Sequence, residues 1–102
     1  MSRNNRLSGI VFLFSVLSTT PAFAETNYHI EMAARINVAE NICDINFGDR
    51  LLHHVMMGGS ELGLTLEQAA IRADRRHEEI VRYLNRNSKL DEFCRNARQG
   101  KL

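Results

Sequence analysis

The stretch Leu64-Thr65-Leu66-Glu67-Gln68-Ala69-Ala70-Ile71-Arg72-Ala73-Asp74-Arg75-Arg76-His77-Glu78-Glu79-Ile80-Val81-Arg82-Tyr83-Leu84-Asn85-Arg86 decides the fold class. Its opening residues have the chemistry of a helix start. The Thr65 hydroxyl can accept the Gln68 amide proton while the Gln68 side chain returns to the Thr65 amide, a capping box, and Leu64 ahead of it reaches toward Ala69 as a hydrophobic staple. Leu66, Ala69, Ala70, Ala73, His77, Ile80, Val81 and Leu84 then follow on one stripe. That stripe describes a helix of about 20 residues, roughly 30 Å long. Glu78 and Glu79 interleave with Arg72, Arg75, Arg76, Arg82 and Arg86, so Arg75–Glu79 and Glu78–Arg82 pair at i,i+4 on the outer face. The arginines therefore read as a solvated helix face. A minority reading joins Arg72 and Arg76 to Arg95, Arg98 and Lys101 as a surface for an anionic partner.

Working outward, no proline follows Pro21, and the apolar residues on either side keep helical spacing. A first helix is expected from about Tyr28 to Cys43, with Met32, Ile36, Ala39 and Cys43 on its buried face and Glu31 paired with Arg35. A short second helix is expected from about Asp49 to Met57, with Leu51, Leu52, Val55 and Met56 on one side and Gly58-Gly59 as its stop. Phe47 packs just before it. After Arg86, Ser88 reads as the cap of a fourth helix carrying Leu90, Phe93, Cys94 and Ala97 at i, i+3, i+4 and i+7, with Gly100 beyond its end. The expected fold is all-α, a small bundle of about four helices.

Cys43 and Cys94 both fall on apolar faces in this scheme. A bridge between them would tie the end of the first helix to the fourth and stabilise the fold by about 4 kcal/mol on chain-entropy grounds. Free thiols and an intermolecular bridge are the alternatives. No C-x-x-C, haem-attachment or zinc-type cysteine spacing is present.

The N-terminus gives the reason for expecting oxidised cysteines. Arg3 and Arg6 precede an apolar core from Ile10 to Leu17, and Pro21 leads into Ala22-Phe23-Ala24. This is the three-part layout of a secretory signal peptide, with an apolar core about half the ~20 residues that span a bilayer. Residues 1–24 are therefore expected to be removed. Residues 25–102 then form a single helical domain, periplasmic or secreted, with no membrane span after cleavage. The whole chain of 102 residues carries 13 Lys plus Arg against 12 Asp plus Glu. Loss of Arg3 and Arg6 leaves 11 basic against 12 acidic residues, net −1. A near-neutral domain is not built for nucleic acid, and 44% apolar residues in a periodic pattern exclude a disordered scaffold.

Candidate chemistry is sparse. Neither a nucleophile elbow, a metalloprotease motif, a Walker loop nor a dinucleotide fingerprint is present, so the chain reads as a non-enzyme. His53 and Met57 lie one turn apart on the second helix, a thioether and an imidazole that suit copper, with His54, Met56 or His29 as a third donor. The opposing reading fills core gaps with the methionines, leaves the histidines in water and needs no cofactor. His77 interrupts an apolar seam. A core imidazole is expected to be neutral and hydrogen-bonded to a carbonyl or carboxylate, and acid would then loosen the bundle by charging it.

Leu64-Thr65-x-x-Gln68 resembles the L-T-x-x-Q motif of Spy/CpxP-type periplasmic stress proteins, which are all-helical chaperones or metal-responsive sensors. The overall plan is similar to that of small periplasmic acid-stress chaperones. The motif occurs once here rather than twice, covers five residues and coincides with a capping box, so it assigns no family. Taken together, these features point to a small exported accessory protein that binds another protein through apolar surface around Leu52, Met56, Met57 and Leu62, in a stress-related or chaperone-like role. Copper binding through His53 and Met57 and a secreted inhibitor or effector are the other readings. A homodimer along the third helix would supply core that a narrow bundle lacks. Mass spectrometry of the exported protein is expected to give an N-terminus at Glu25 and a mass lighter, before reduction, by the hydrogens that one disulfide removes; a retained leader would contradict the export reading.

Overall fold

The computed structural model describes residues 26–102, so the signal segment expected over 1–24 lies outside the described residues. Four helices follow in order: α1 (Tyr28–Ile42), α2 (Arg50–Leu62), α3 (Leu66–Arg86) and α4 (Leu90–Arg98). No strand occurs among the described residues, and no helix there is long and apolar enough to cross a membrane. The all-α, disulfide-stapled bundle is the observed architecture. The capping box that starts α3 is complete: Gln68 N–H donates to Thr65 Oγ at 3.1 Å, and Thr65 N–H donates to Gln68 Oε1 at 2.9 Å.

α1 is the element around which the others pack. The sequence suggests one buried stripe on it. Instead Ile30, Ala33, Ala34, Ile36, Val38 and Ala39 are all fully shielded from solvent, while Met32 is only half-buried. The reason lies in the number of neighbours. Ile30 and Ala33 pack with Val55 of α2 and with Ala69 and Ala73 of α3. Further along, Ala34 and Val38 meet Ile80 and Leu84 of α3. Ala39 and Cys43 then meet Cys94 and Ala97 of α4. A helix covered from several sides buries a band wider than one stripe, and the solvent side left to α1 carries Tyr28, Arg35, Asn41 and Ile42. Its N-terminus is capped by Asn27, whose side-chain oxygen accepts the Ile30 amide at 2.9 Å.

The expected stop of α2 is corrected by the structure. Gly58 and Gly59 lie inside the helix and are buried, and α2 continues to Leu62. A Cβ on Gly58 would stand 2.8 Å from Ile30 Cγ1 and Cδ1 and 3.0 Å from the Ile30 backbone nitrogen; one on Gly59 would stand 2.8 Å from Ala69 Cβ. At this pair α2 lies against α1 and α3 with no room for a side chain between them. Two helical glycines cost about 1 kcal/mol each in propensity, which the close packing they permit must offset. The true terminator is Gly63, at φ 71°, with Leu64 N–H bonded to the Gly59 carbonyl at 2.8 Å.

Ser88 is corrected too. It does not cap α4. It sits at φ 55°, and the next amide, of Lys89, bonds back to the Leu84 carbonyl at 2.9 Å, so the turn closes α3. Lys89 takes the N-cap of α4 without a side-chain cap bond. The Cys43–Cys94 disulfide joins the C-terminal cap of α1 to α4 across a sequence separation of 51. Phe47 packs beside it, its amide donating to Glu40 Oε2 and the Arg50 guanidinium lying over its ring.

A polar clamp joins α1 and α3. Arg76 of α3 donates from Nε and Nη2 to the two carboxylate oxygens of Glu31 on α1, at 2.8 and 3.0 Å, and from Nη1 to Glu79 at 3.0 Å. Arg35 adds a longer contact to Glu31 at 3.5 Å, the i,i+4 pair expected from sequence. The Arg76 hydrogen bonds hold the Glu31 carboxyl below its ordinary range, more than offsetting the opposing effect of burial. With its neutralising partners in place, Arg76 is not available as an unpaired member of an anion-binding surface.

Gly58→Ala is expected to destabilise the fold by about 1–2 kcal/mol despite its better helix propensity, because the added methyl overpacks against backbone as well as side chain; a lower urea midpoint at unchanged m-value checks it. Because folding lowers the Glu31 pKa, the unfolded chain binds more protons in acid, so the clamp's contribution is present above about pH 4.5 and lost as pH falls through the folded-state value. Glu31→Gln should remove about 1 kcal/mol at neutral pH, a figure discounted for solvent screening, and should flatten the loss of thermal stability between pH 6 and pH 3.

Candidate functional site

Two features could carry function, and both involve α2. The first is apolar. Leu52 is 51% exposed, Met56 54% and Met57 41%, while Leu62 is half-buried against the Ile30 cluster and belongs to the edge of the core. A groove of about 420 Å³ is lined by Leu51, Leu52, Val55, Leu66 and Ala70, with Glu40 and Gly48 also on its wall. Leu66 and Ala70 belong to the stripe expected to be buried, yet both are exposed. Burial on α3 begins at Ala69 and continues through Ala73, Ile80 and Leu84, the residues that face α1. Stripe periodicity alone could not show that the partner helix leaves the first turn uncovered.

The second feature is a cluster of aromatic nitrogen bases. His29 comes from the first turn of α1, and His53 and His54 from α2. Antiparallel packing of these helices, close enough to place Ile30 against Gly58, brings the N-terminus of α1 alongside the second half of α2. His29 Nδ1 and His54 Nδ1 are 2.9 Å apart, a separation that requires one ring to donate and the other to accept. The ring centroids are 5.1 Å apart for His29–His54, 5.2 Å for His53–His54 and 6.2 Å for His29–His53. Tyr28 meets the His29 and His54 rings edge-on at 5.2 and 6.2 Å.

A carboxylate supports the cluster from behind. Glu61 Oε2 lies 3.7 Å from His29 Nε2, and its other oxygen accepts from Asn27 Nδ2 at 3.0 Å. Partial burial, reinforced by His29, His53 and Arg50, lowers the His54 pKa from its ordinary value and favours the neutral ring. As they stand, no three His, Cys, Asp or Glu side chains among the described residues are arranged to hold a metal ion, and no cysteine there is free.

The sequence-derived pair His53 and Met57 lies one turn apart on α2 with both residues exposed, but the nitrogen contact that the fold creates is His29–His54. His29 entered the sequence reading only as an optional third donor, because nothing local says that residue 29 lies beside residue 54. His77 lies in the α3 seam, half-buried, and its buried Nδ1 has no hydrogen-bond partner. The carbonyl or carboxylate partner expected for it is not found at that nitrogen. Its seam neighbours Ala73, Ile80 and Val81 have no polar side chains, and carbonyls inside a helix are already engaged. No protein-family model matches this chain, and no curated protein or solved structure is significantly similar to it.

Proposed function

We propose that this chain is an exported accessory protein that acts by binding another protein through the apolar surface of α2 and the start of α3, and that it carries out no catalysis. The observation that carries this reading is the exposed groove of Leu51, Leu52, Val55, Leu66 and Ala70, with Met56 one turn from Leu52 on the same helix. Exposed large apolar side chains grouped on one face are costly to keep in water, and unbranched methionines adapt to differently shaped partners. The capping box and the Cys43–Cys94 bridge support the reading in another way. The capping box fixes the start of α3, one wall of the groove, and the bridge ties α1 to α4 elsewhere in the bundle, so little conformational entropy is lost when a partner docks.

A photo-reactive residue placed at Met56 in the exported protein tests this. Adducts to unfolded client proteins, abolished by Leu52→Glu or Leu66→Glu with the disulfide and helical content intact, are the outcome expected of a chaperone-like role. A single folded partner would select the inhibitor or effector form, and an adduct with a second copy the homodimer. Adduct formation indifferent to both substitutions would overturn the reading.

A further inference from the structure

The three clustered imidazoles are placed for more than their mutual hydrogen bond. A zinc ion held by imidazole nitrogens at about 2.0 Å lies about 3.2 Å from each ring centroid, so tetrahedral angles put neighbouring centroids about 5.2 Å apart. Two of the three separations, 5.1 and 5.2 Å, match that spacing, and the third, 6.2 Å between His29 and His53, is within a small adjustment of an exposed side chain. Ring centroids are placed by the helices and by the first side-chain torsion. The direction of each nitrogen is set by the second torsion, which is broad for histidine. At present His29 and His54 turn Nδ1 toward each other, one nitrogen carrying the proton and the other accepting it, so neither has a lone pair free. Swivelling the rings in place redirects those nitrogens to the space between the three.

We infer that His29, His53 and His54 together form a binding site for zinc(II) or a divalent ion of similar chemistry, with solvent in the fourth position. His29 contributes from α1, and His53 and His54 contribute from α2. The donor set suits this ion: three borderline nitrogens, no thiolate because both cysteines are bridged, and an open side at exposed His53. Glu61 completes the arrangement. It lies 3.7 Å from His29 Nε2, where its negative charge favours a proton on that nitrogen and a free Nδ1, and its other oxygen accepts from Asn27. The proton now shared between the two Nδ1 atoms passes to Nε2 of its own ring, which leaves both Nδ1 lone pairs available. The charged groups near the cluster are Arg50, whose charge acts on His54, and Glu61, which lies beside His29. This site is separate from the apolar groove, and neither reading depends on the other.

Calorimetric titration of the oxidised full-length mature protein with zinc(II), with cobalt(II) as a spectroscopic substitute, tests the inference. One ion per chain and the intense visible bands of tetrahedral cobalt are the expected results. His29→Gln, His53→Gln and His54→Gln should each weaken binding at least tenfold, and His77→Gln should leave it unchanged. Absence of one-to-one binding, a pale octahedral cobalt spectrum, or unchanged affinity in any of the three variants would overturn it. The cobalt spectrum is read on the unmutated protein, so a variant that fails to fold does not remove the test.

Discussion

Close approach to α1 is the constraint on which the rest of the structure depends. A single helix of 15 residues is covered by three others, and that is possible only where the facing surfaces are thin. Ala33, Ala34 and Ala39 thin α1 itself, Gly58 and Gly59 thin α2, and Ala69 and Ala73 thin α3. The largest fully buried side chains are only Ile30, Ile36 and Val38, so the core is made of many short contacts rather than a few bulky ones. Such a core shields little apolar area per residue, and a covalent tie between α1 and α4 has correspondingly more to contribute.

Surrounding α1 also decides where its polar residues can go. Glu31 lies at the border between α1 and α3 and is retained there because Arg76 engages both of its oxygens. His29, in the first turn of α1, meets α2 where that helix carries its two adjacent histidines. The imidazole cluster and the close glycine contact therefore share one cause: the seating of Ile30 on Gly58 sets how near the two helices come, and that distance brings ring 29 to ring 54. The exposed apolar groove arises from the opposite condition. There, among the described residues, no further helix covers Leu52 of α2 and Leu66 in the first turn of α3.

Local signals were legible in the amino-acid order wherever the interaction is itself local. The Thr65–Gln68 box involves residues three apart, the α3 stripe repeats every three or four, and Gly100 follows the last helix at φ 77°; each was readable without knowledge of a neighbour. Misreadings fell where a residue type serves two purposes. A glycine pair ends helices and also admits close helix contacts, and only the presence of Ile30 opposite tells which purpose applies at Gly58. Serine caps helix starts, yet Ser88 closes the end of α3, because the chain must reverse there to bring Cys94 back to Cys43.

The sequence by itself determined the helical class, the longest helix and its start, the placement of both cysteines on apolar faces and the absence of known catalytic motifs, all consequences of composition and short-range spacing. Tertiary structure alone decided that α1 is the enclosed element, that α2 passes through its glycines, that Leu66 is uncovered while Ala69 is buried, and that His29 joins His54. The physical reason is separation along the chain. Contacts across 25 residues or more depend on how whole helices seat against one another, and that seating is fixed by the sum of many small steric fits which no local pattern encodes.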